Sequence, residues 1–256
     1  MEKNTKKRLF FDIETSPNIG FFWQSGYKLN VPYSNIIKER AIICICYKWE
    51  GDDKVYSLNW DKNQDDKAML EKFVEIANEA QELVGHNGDK FDLPWIRTRC
   101  LFHGIPMFPN YVTIDTLKQA RSKFRFNSNR LDYIANYLGV GGKTETGFDL
   151  WKNIVLNKDK EAMNKMVEYC KNDVIILEKV YKYLANYFPH RTHYGALENG
   201  DKCSCPECGS TNLKFSQKRY SAAGTPRIQL QCRECFKYHT VATSTYDKIV
   251  ANSVIS

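Results

Sequence analysis

Residues Arg8–Ile13 (RLFFDI) form a short apolar run that carries Asp12, with Glu14 two residues further on. A run of this kind reads as a buried strand. Alternate side chains of a strand share a face, so both carboxylates stand on one side, roughly 6–7 Å apart along the backbone. Leu9, Phe10, Phe11 and Ile13 mark the strand as interior, where paired carboxylates lose hydration and repel each other. Hard divalent cations such as Mg²⁺ and Mn²⁺ prefer carboxylate oxygens and relieve both costs. Taken alone, the D-x-E pair also fits an exposed strand end with solvated acids.

The rest of the chain frames this strand. Ala41–Trp49 (AIICICYKW) and Lys54–Trp60 (KVYSLNW) read as two strands joined by a GDD turn. Asp65–Ala80 has helical apolar spacing, and Glu82–Gly85 is a short strand leading into the turn GHNGDKFD. Leu93–Phe102 reads as a helix that admits Pro94 only in its first turn. Tyr111–Ile114 is a fifth strand, and a long helix spans about Asp159–Phe188. This order predicts an α/β protein with a mixed five-stranded sheet flanked by helices. The stretch SPNIGFFWQSGYKLNVPYSN reads as a loop, and periodicity stops near Pro189–Lys202. The expected organisation is a larger domain over residues 1–190, a linker over 191–202 and a small module over 203–256.

Two further acids stand where they can join the first pair. Asp92 closes the turn His86-Asn87-Gly88-Asp89-Lys90-Phe91-Asp92, between a strand end and a helix start. An acid placed there also favours the positive helix N-terminus. In the long helix, Tyr169 and Asp173 are four apart and share a face, so a phenol and a carboxylate together can hold an ion and orient a water. Met166, Tyr169 and Val180 fit a core stripe as well.

The segments FDIET (Phe11–Thr15), HNGDKFD (His86–Asp92) and YCKND (Tyr169–Asp173), in this order, resemble the three motifs of the DEDD exonuclease superfamily in its tyrosine-bearing branch. TIDT (Thr113–Thr116) and LDYIANYLGV (Leu131–Val140) are similar to the 3′→5′ exonuclease domain of family B DNA polymerases. The resemblance spans about residues 7–185. Residues 165–172 contain no histidine, which sets aside the histidine-bearing branch. The resemblance implies a ribonuclease H-like fold in which Asp12, Glu14, Asp92 and Asp173 hold two Mg²⁺ or Mn²⁺ ions. In such sites the ions lie roughly 3.5–4 Å apart and clamp the attacking and leaving oxygens of an in-line displacement. Tyr169 would orient the attacking water, and nucleoside monophosphates would leave one at a time from a 3′ end. Asp115 would support the site without touching metal. Asn87, Phe22 and Trp23, with Phe21 beside them, are candidate contacts for an unpaired strand. The three aromatics fit an apolar core equally well.

Near the end, Cys205-Pro-Glu-Cys208 and Cys232-Arg-Glu-Cys235 stand with 23 residues between them. Each C-x-x-C knuckle aims two thiolates at one ion, and two knuckles complete a tetrahedral Zn²⁺ site. The segment has too few large apolar residues for a core, so metal binding would supply most of its folding energy. Lys214–Tyr220 and Arg227–Gln231 read as hairpin strands. Cys203 is a spare thiol, and His239 is a substitute ligand of lower rank. His190 and His193 read as ordinary linker residues. The tail resembles zinc ribbons of transposases and transcription factors, which contact nucleic acid or protein. Lys214, Lys218, Arg219, Arg227 and Lys237, interleaved with Phe215, Tyr220 and Tyr238, suit a phosphate backbone, Lys218 and Arg219 first among them.

Charge agrees with a polyanionic partner. Of the formal net charge of +7, residues 201–256 contribute eight basic and four acidic side chains, hence +4. No stretch reaches the roughly 18 apolar residues of a membrane span, and the start MEKNTKKRLFF lacks a signal-peptide core. With nine cysteines, an odd number, this predicts a reducing cytoplasm and metal-bound rather than disulfide-paired thiols. The expected partner is single-stranded nucleic acid, DNA in preference to RNA, with no membrane and a possible replication or repair protein. The rival reading is a non-catalytic nucleic-acid-binding or protein-docking module on the same scaffold. A redox protein is set aside because the C-x-x-C pairs come as two and lack a thioredoxin-like setting.

Overall fold

The structure is a computed structural model that describes residues 6–26, 29–142, 147–197 and 202–254. Chain order begins with β1 (Arg8–Thr15), the short pair β2 (Ile19–Gly20) and β3 (Ile36–Lys38), then β4 (Ile42–Trp49) and β5 (Tyr56–Asn59). Next come α1 (Lys67–Glu79), β6 (Glu82–Gly85), α2 (Asp92–His103), β7 (Thr113–Asp115), α3 (Thr116–Lys123), α4 (Leu131–Tyr137), α5 (Asp149–Asn157) and α6 (Lys160–Leu184). The terminal part holds α7 (Tyr194–Leu197), β8 (Leu213–Tyr220), β9 (Pro226–Cys232), β10 (Tyr238–Ala242) and α8 (Thr243–Val254).

The larger sheet has the order β5-β4-β1-β6-β7. β4 pairs antiparallel with both β1 and β5, whereas β6 runs parallel to β1 and to β7. This is the mixed five-stranded sheet with flanking helices expected from the sequence. β1 lies at its centre and is buried on both faces. Leu9, Phe11 and Ile13 pack towards α1 and α2, while Phe10 packs towards α6. The strand's period of two therefore puts Asp12 and Glu14 on the α6 side, in line with Phe10.

Helix ends follow their local chemistry. Asp159 caps α6, its carboxylate accepting from the N–H groups of Glu161 (2.8 Å) and Ala162 (3.2 Å). Gly104 ends α2 in the left-handed region at φ 69°, a cap that costs glycine little. Pro94 falls in the first turn of α2, where its missing N–H is not needed.

Short elements went unread in the sequence. β2, inside the stretch taken as loop, pairs with β3 just after it, and β10 and α8 complete the terminal module. The β8–β9 hairpin does match the expected strands. Phe21, Phe22 and Trp23 are exposed and do not enter the core, which removes the packing alternative for them.

The terminal module is docked on the sheet through a buried ion network. Glu207, from the first cysteine knuckle, lies against Arg8 (2.5 Å), Lys237 (3.1 Å), Lys6 (3.5 Å) and His190 (3.2 Å). Arg8 and Lys6 also reach Glu82 at 2.6 and 3.3 Å. Within the segment read as a linker, Tyr194 is buried and its N–H donates to Pro206 O at 2.9 Å, while positions 198–201 lie outside the described residues.

Candidate active site and cysteine centre

β1 and α6 together build the first part of the site. One ligand oxygen each from Asp12, Glu14 and Asp173 lies within 4.8 Å of the others. Asp173 is buried and reaches this point from α6, on the face shared with Tyr169, itself buried one turn earlier. The β1–β4 ladder shifts register between Glu14 and Thr15, a bulge of the kind that re-aims side chains beside functional sites.

Asp92, the first residue of α2, is buried beside them. Its Oδ1 accepts from Ile13 N–H at 3.1 Å, between the two β1 acids. It is not within the 4.8 Å group, although its charge acts directly on Asp12. Burial, then the charges of Asp92, Glu14 and Asp173, push the Asp12 carboxyl well above its usual range. Burial pushes Asp92 up to about 7. Three carboxylates crowded around that of Asp12 are a donor set suited to hard divalent ions, so the residues present fit Mg²⁺ or Mn²⁺.

The turn delivering Asp92 depends on close backbone contact. A Cβ on Gly85 would meet the Gly88 Cα at 3.2 Å, and Asn87 takes a left-handed φ of 70°, which asparagine tolerates. Asp115 braces the same turn: it accepts from the N–H groups of Asn87 (3.1 Å), Asp89 (3.3 Å) and Lys118 (3.1 Å). It thus supports the turn that carries Asp92.

An open cleft of about 470 Å³ runs from Asp12 and Asp173 to His86, Arg121 and the segment Asn127–Asp132. Burial pulls the His86 imidazole below its usual range. The ring bridges Thr116 Oγ1 (2.9 Å) and Asn129 O (3.0 Å), fastening the cleft wall to the β6 turn. Sequence reading did not single out Arg121, Asn127 or Arg130. Their one signal is the polar, basic stretch RSKFRFNSNR ahead of LDYIANYLGV. Phe22 and Trp23 do not line this cleft, and Asn87 sits half-buried on the braced turn.

In the terminal module, the thiols of Cys205, Cys208, Cys232 and Cys235 converge, with 3.6 Å from Cys205 to Cys235 and from Cys208 to Cys232. Zn–S bonds of about 2.3 Å require sulfurs roughly 3.8 Å apart in a tetrahedron, so the four thiols fit one Zn²⁺. Cys203 points away, its Sγ donating to Thr245 O at 3.8 Å, and His239 is buried outside the group. His190 faces Glu207 and Tyr238 O instead of a metal. Lys218 and Arg219 lie exposed along β8. Among the described residues, no helix is long and apolar enough to cross a membrane.

A sequence profile of the RNase H superfamily matches residues 36–185. It begins after β1, so Asp12 and Glu14 stand outside it. DNA polymerase of Thermococcus aggregans is 22% identical over 216 residues, covering 75% of this chain and 11% of that protein. DNA polymerase of Thermococcus litoralis is 21% identical over 216 residues, covering 75% and 12%. The chain therefore spans about a tenth of these relatives. The family B DNA polymerase of the hyperthermophilic archaeon Pyrobaculum calidifontis shares the fold, with a TM-score of 0.56 at 16% identity over 85% of this chain and 31% of that one. With more than half of its length matched, and with a mixed sheet that gathers acids at its centre, the chain belongs to the RNase H superfamily.

Proposed function

We propose that this chain is a metal-dependent 3′→5′ exonuclease that releases nucleoside monophosphates from single-stranded nucleic acid, DNA in preference to RNA. The observation that carries the reading is the gathering of Asp12, Glu14 and Asp173 within 4.8 Å, with Asp92 tied to Ile13 between them. Similarity to DNA polymerases supports a nucleic-acid substrate.

Asp12, Glu14, Asp92 and Asp173 would hold two Mg²⁺ or Mn²⁺ ions. When bound, such ions activate a water for attack and neutralise charge on the departing 3′ oxygen. Tyr169, one turn before Asp173, positions that water through its phenol. Asp115 keeps the Asn87–Asp89 turn in place so that Asp92 stays aimed at β1. Arg121 and Arg130, across the cleft, meet backbone phosphates, while Asn87 and the exposed Phe22 and Trp23 contact the unpaired end.

The terminal ribbon, holding one Zn²⁺ on its four cysteines, has a different place in this scheme. It docks at Arg8 and Glu82, the paired starting ends of β1 and β6, whereas the acids lie towards the other end of β1. The six steps from Arg8 to Glu14 span about 20 Å of strand. Lys218 and Arg219 therefore hold nucleic acid away from the reacting end rather than the terminal nucleotide.

The test is incubation with 5′-labelled single-stranded DNA and RNA in Mn²⁺, Mg²⁺ or EDTA. A ladder shortening from the 3′ end, absent in EDTA and in Asp173→Ala, is expected. Intact substrate that is nevertheless bound would instead support the non-catalytic scaffold.

A further inference from the structure

A second group of thiols lies against the acids and has no part in the chemistry above. Cys44 and Cys46 stand two apart on β4, directly opposite Glu14 and Asp12 in the strand register. Cys170 descends on them from α6. All three are fully buried, and their sulfurs lie within 4.8 Å of one another. The Cys170 Sγ is 3.5 Å from Asp12 O and 3.7 Å from Asp12 Oδ2.

We propose that Cys44, Cys46 and Cys170 form a thiophilic-cation site directly beneath Asp12, and that an ion of the Zn²⁺ class bound there switches the nuclease off. Three thiols on two rigid elements are a preformed chelate. Metal–sulfur bonds of about 2.3 Å require sulfurs roughly 4 Å apart in a trigonal arrangement, which small side-chain shifts supply. Soft thiolates select Zn²⁺, Cd²⁺ and Cu⁺ and discriminate against Mg²⁺ and Mn²⁺, so the two sites sort ions by hardness. Asp12 lines the open cleft and its Oδ2 lies 3.7 Å from the Cys170 Sγ, so the neighbouring carboxylates attract an ion to within one side chain of the thiols. Once there, the ion has the Asp12 carboxylate beside it as a further ligand. Drawing that oxygen away from the hard-ion set removes one of its ligands and stops hydrolysis. The switch rests on the nuclease reading above; the thiol site itself does not.

The experiment takes the full chain with its ribbon filled with zinc and titrates Cd²⁺ against it. Thiolate-to-Cd²⁺ charge-transfer absorbance counts the ions bound, and a nuclease assay in Mn²⁺ runs in parallel. Wild type is expected to bind one equivalent more than a Cys44→Val/Cys46→Val variant. Its rate should fall at least tenfold, while the variant, referred to its own cadmium-free rate, falls by less than twofold. Cys44→Ala alone serves the same purpose if the double variant does not fold. Equal stoichiometry in wild type and variant overturns the site, and equal inhibition overturns the switch. If wild type without cadmium cleaves nothing, the nuclease reading falls, and the absorbance count still decides the site.

Discussion

Asp92 accepts a hydrogen bond from the backbone N–H of Ile13 at 3.1 Å, so the first residue of α2 is tied to β1 between Asp12 and Glu14. The bond joins two motifs 79 residues apart and uses only one oxygen of Asp92. Its geometry separates the structural role of the carboxylate from its charge. In Asp92→Asn an amide oxygen still accepts from Ile13, so the fold should hold, with nuclease rate reduced about a thousandfold through the lost ion ligand. In Asp92→Ala the buried N–H loses its partner, which costs about 1–3 kcal/mol in addition. Thermal denaturation beside the nuclease assay separates the two variants.

The acid cluster should also give the metal-free protein an unusual pH profile. Burial raises Asp92 from 3.8 to about 7, so between those values the native state holds a proton that the unfolded chain has released. Stability in EDTA therefore falls as pH rises from about 4 to about 7. Mn²⁺ should stabilise strongly at pH 8 and weakly at pH 5. Denaturant melts at several pH values, with and without Mn²⁺, check the sign.

Glu207 makes the opposite prediction. Burial alone would raise its pKa, but His190, Arg8, Lys237 and Lys6 hold it well below the usual 4.5. Its contribution is complete above that value and is lost as pH falls below it. Glu207→Ala leaves Arg8 and Lys6 short of a partner in a buried setting and should destabilise ribbon docking by about 3–5 kcal/mol. Hydrogen exchange at β6 and at Pro206–Gly209 would report the undocking, with the acid cluster untouched.

Zinc should be present at one equivalent in freshly purified protein and absent from a Cys205→Ser/Cys232→Ser variant, as read by elemental analysis. Because few large apolar side chains of the ribbon are buried, the variant should lose β8–β10 structure while α6 and the larger sheet persist. A fully folded ribbon without metal would contradict this.

Much of this molecule was legible in the sequence where one strong pattern decided the structure. RLFFDIET declared a central strand through its apolar density, and Asp159–Phe188 declared its helix through sustained periodicity. The C-x-x-C pairs declared their centre through spacing alone. Other features depended on packing that no local pattern encodes. β2 and β3 are only two and three residues long, too short to show alternation. Lys6, Arg8 and Glu82 look like surface charges until Glu207 arrives from across the fold. Cys44, Cys46 and Cys170 are scattered along the sequence, and only the β1–β4 register and the descent of α6 bring them behind Asp12. Arg121, at the end of α3, and Arg130, just ahead of α4, flank the cleft in a basic stretch that follows no spacing rule.

The most direct measurement of the central claim is a crystal soaked in Mn²⁺ and recorded with anomalous scattering. Two peaks roughly 3.5–4 Å apart, ligated by Asp12, Glu14, Asp92 and Asp173 together, are predicted. No peak among these acids, or one that leaves Asp92 or Asp173 without a bond to metal, would contradict the account.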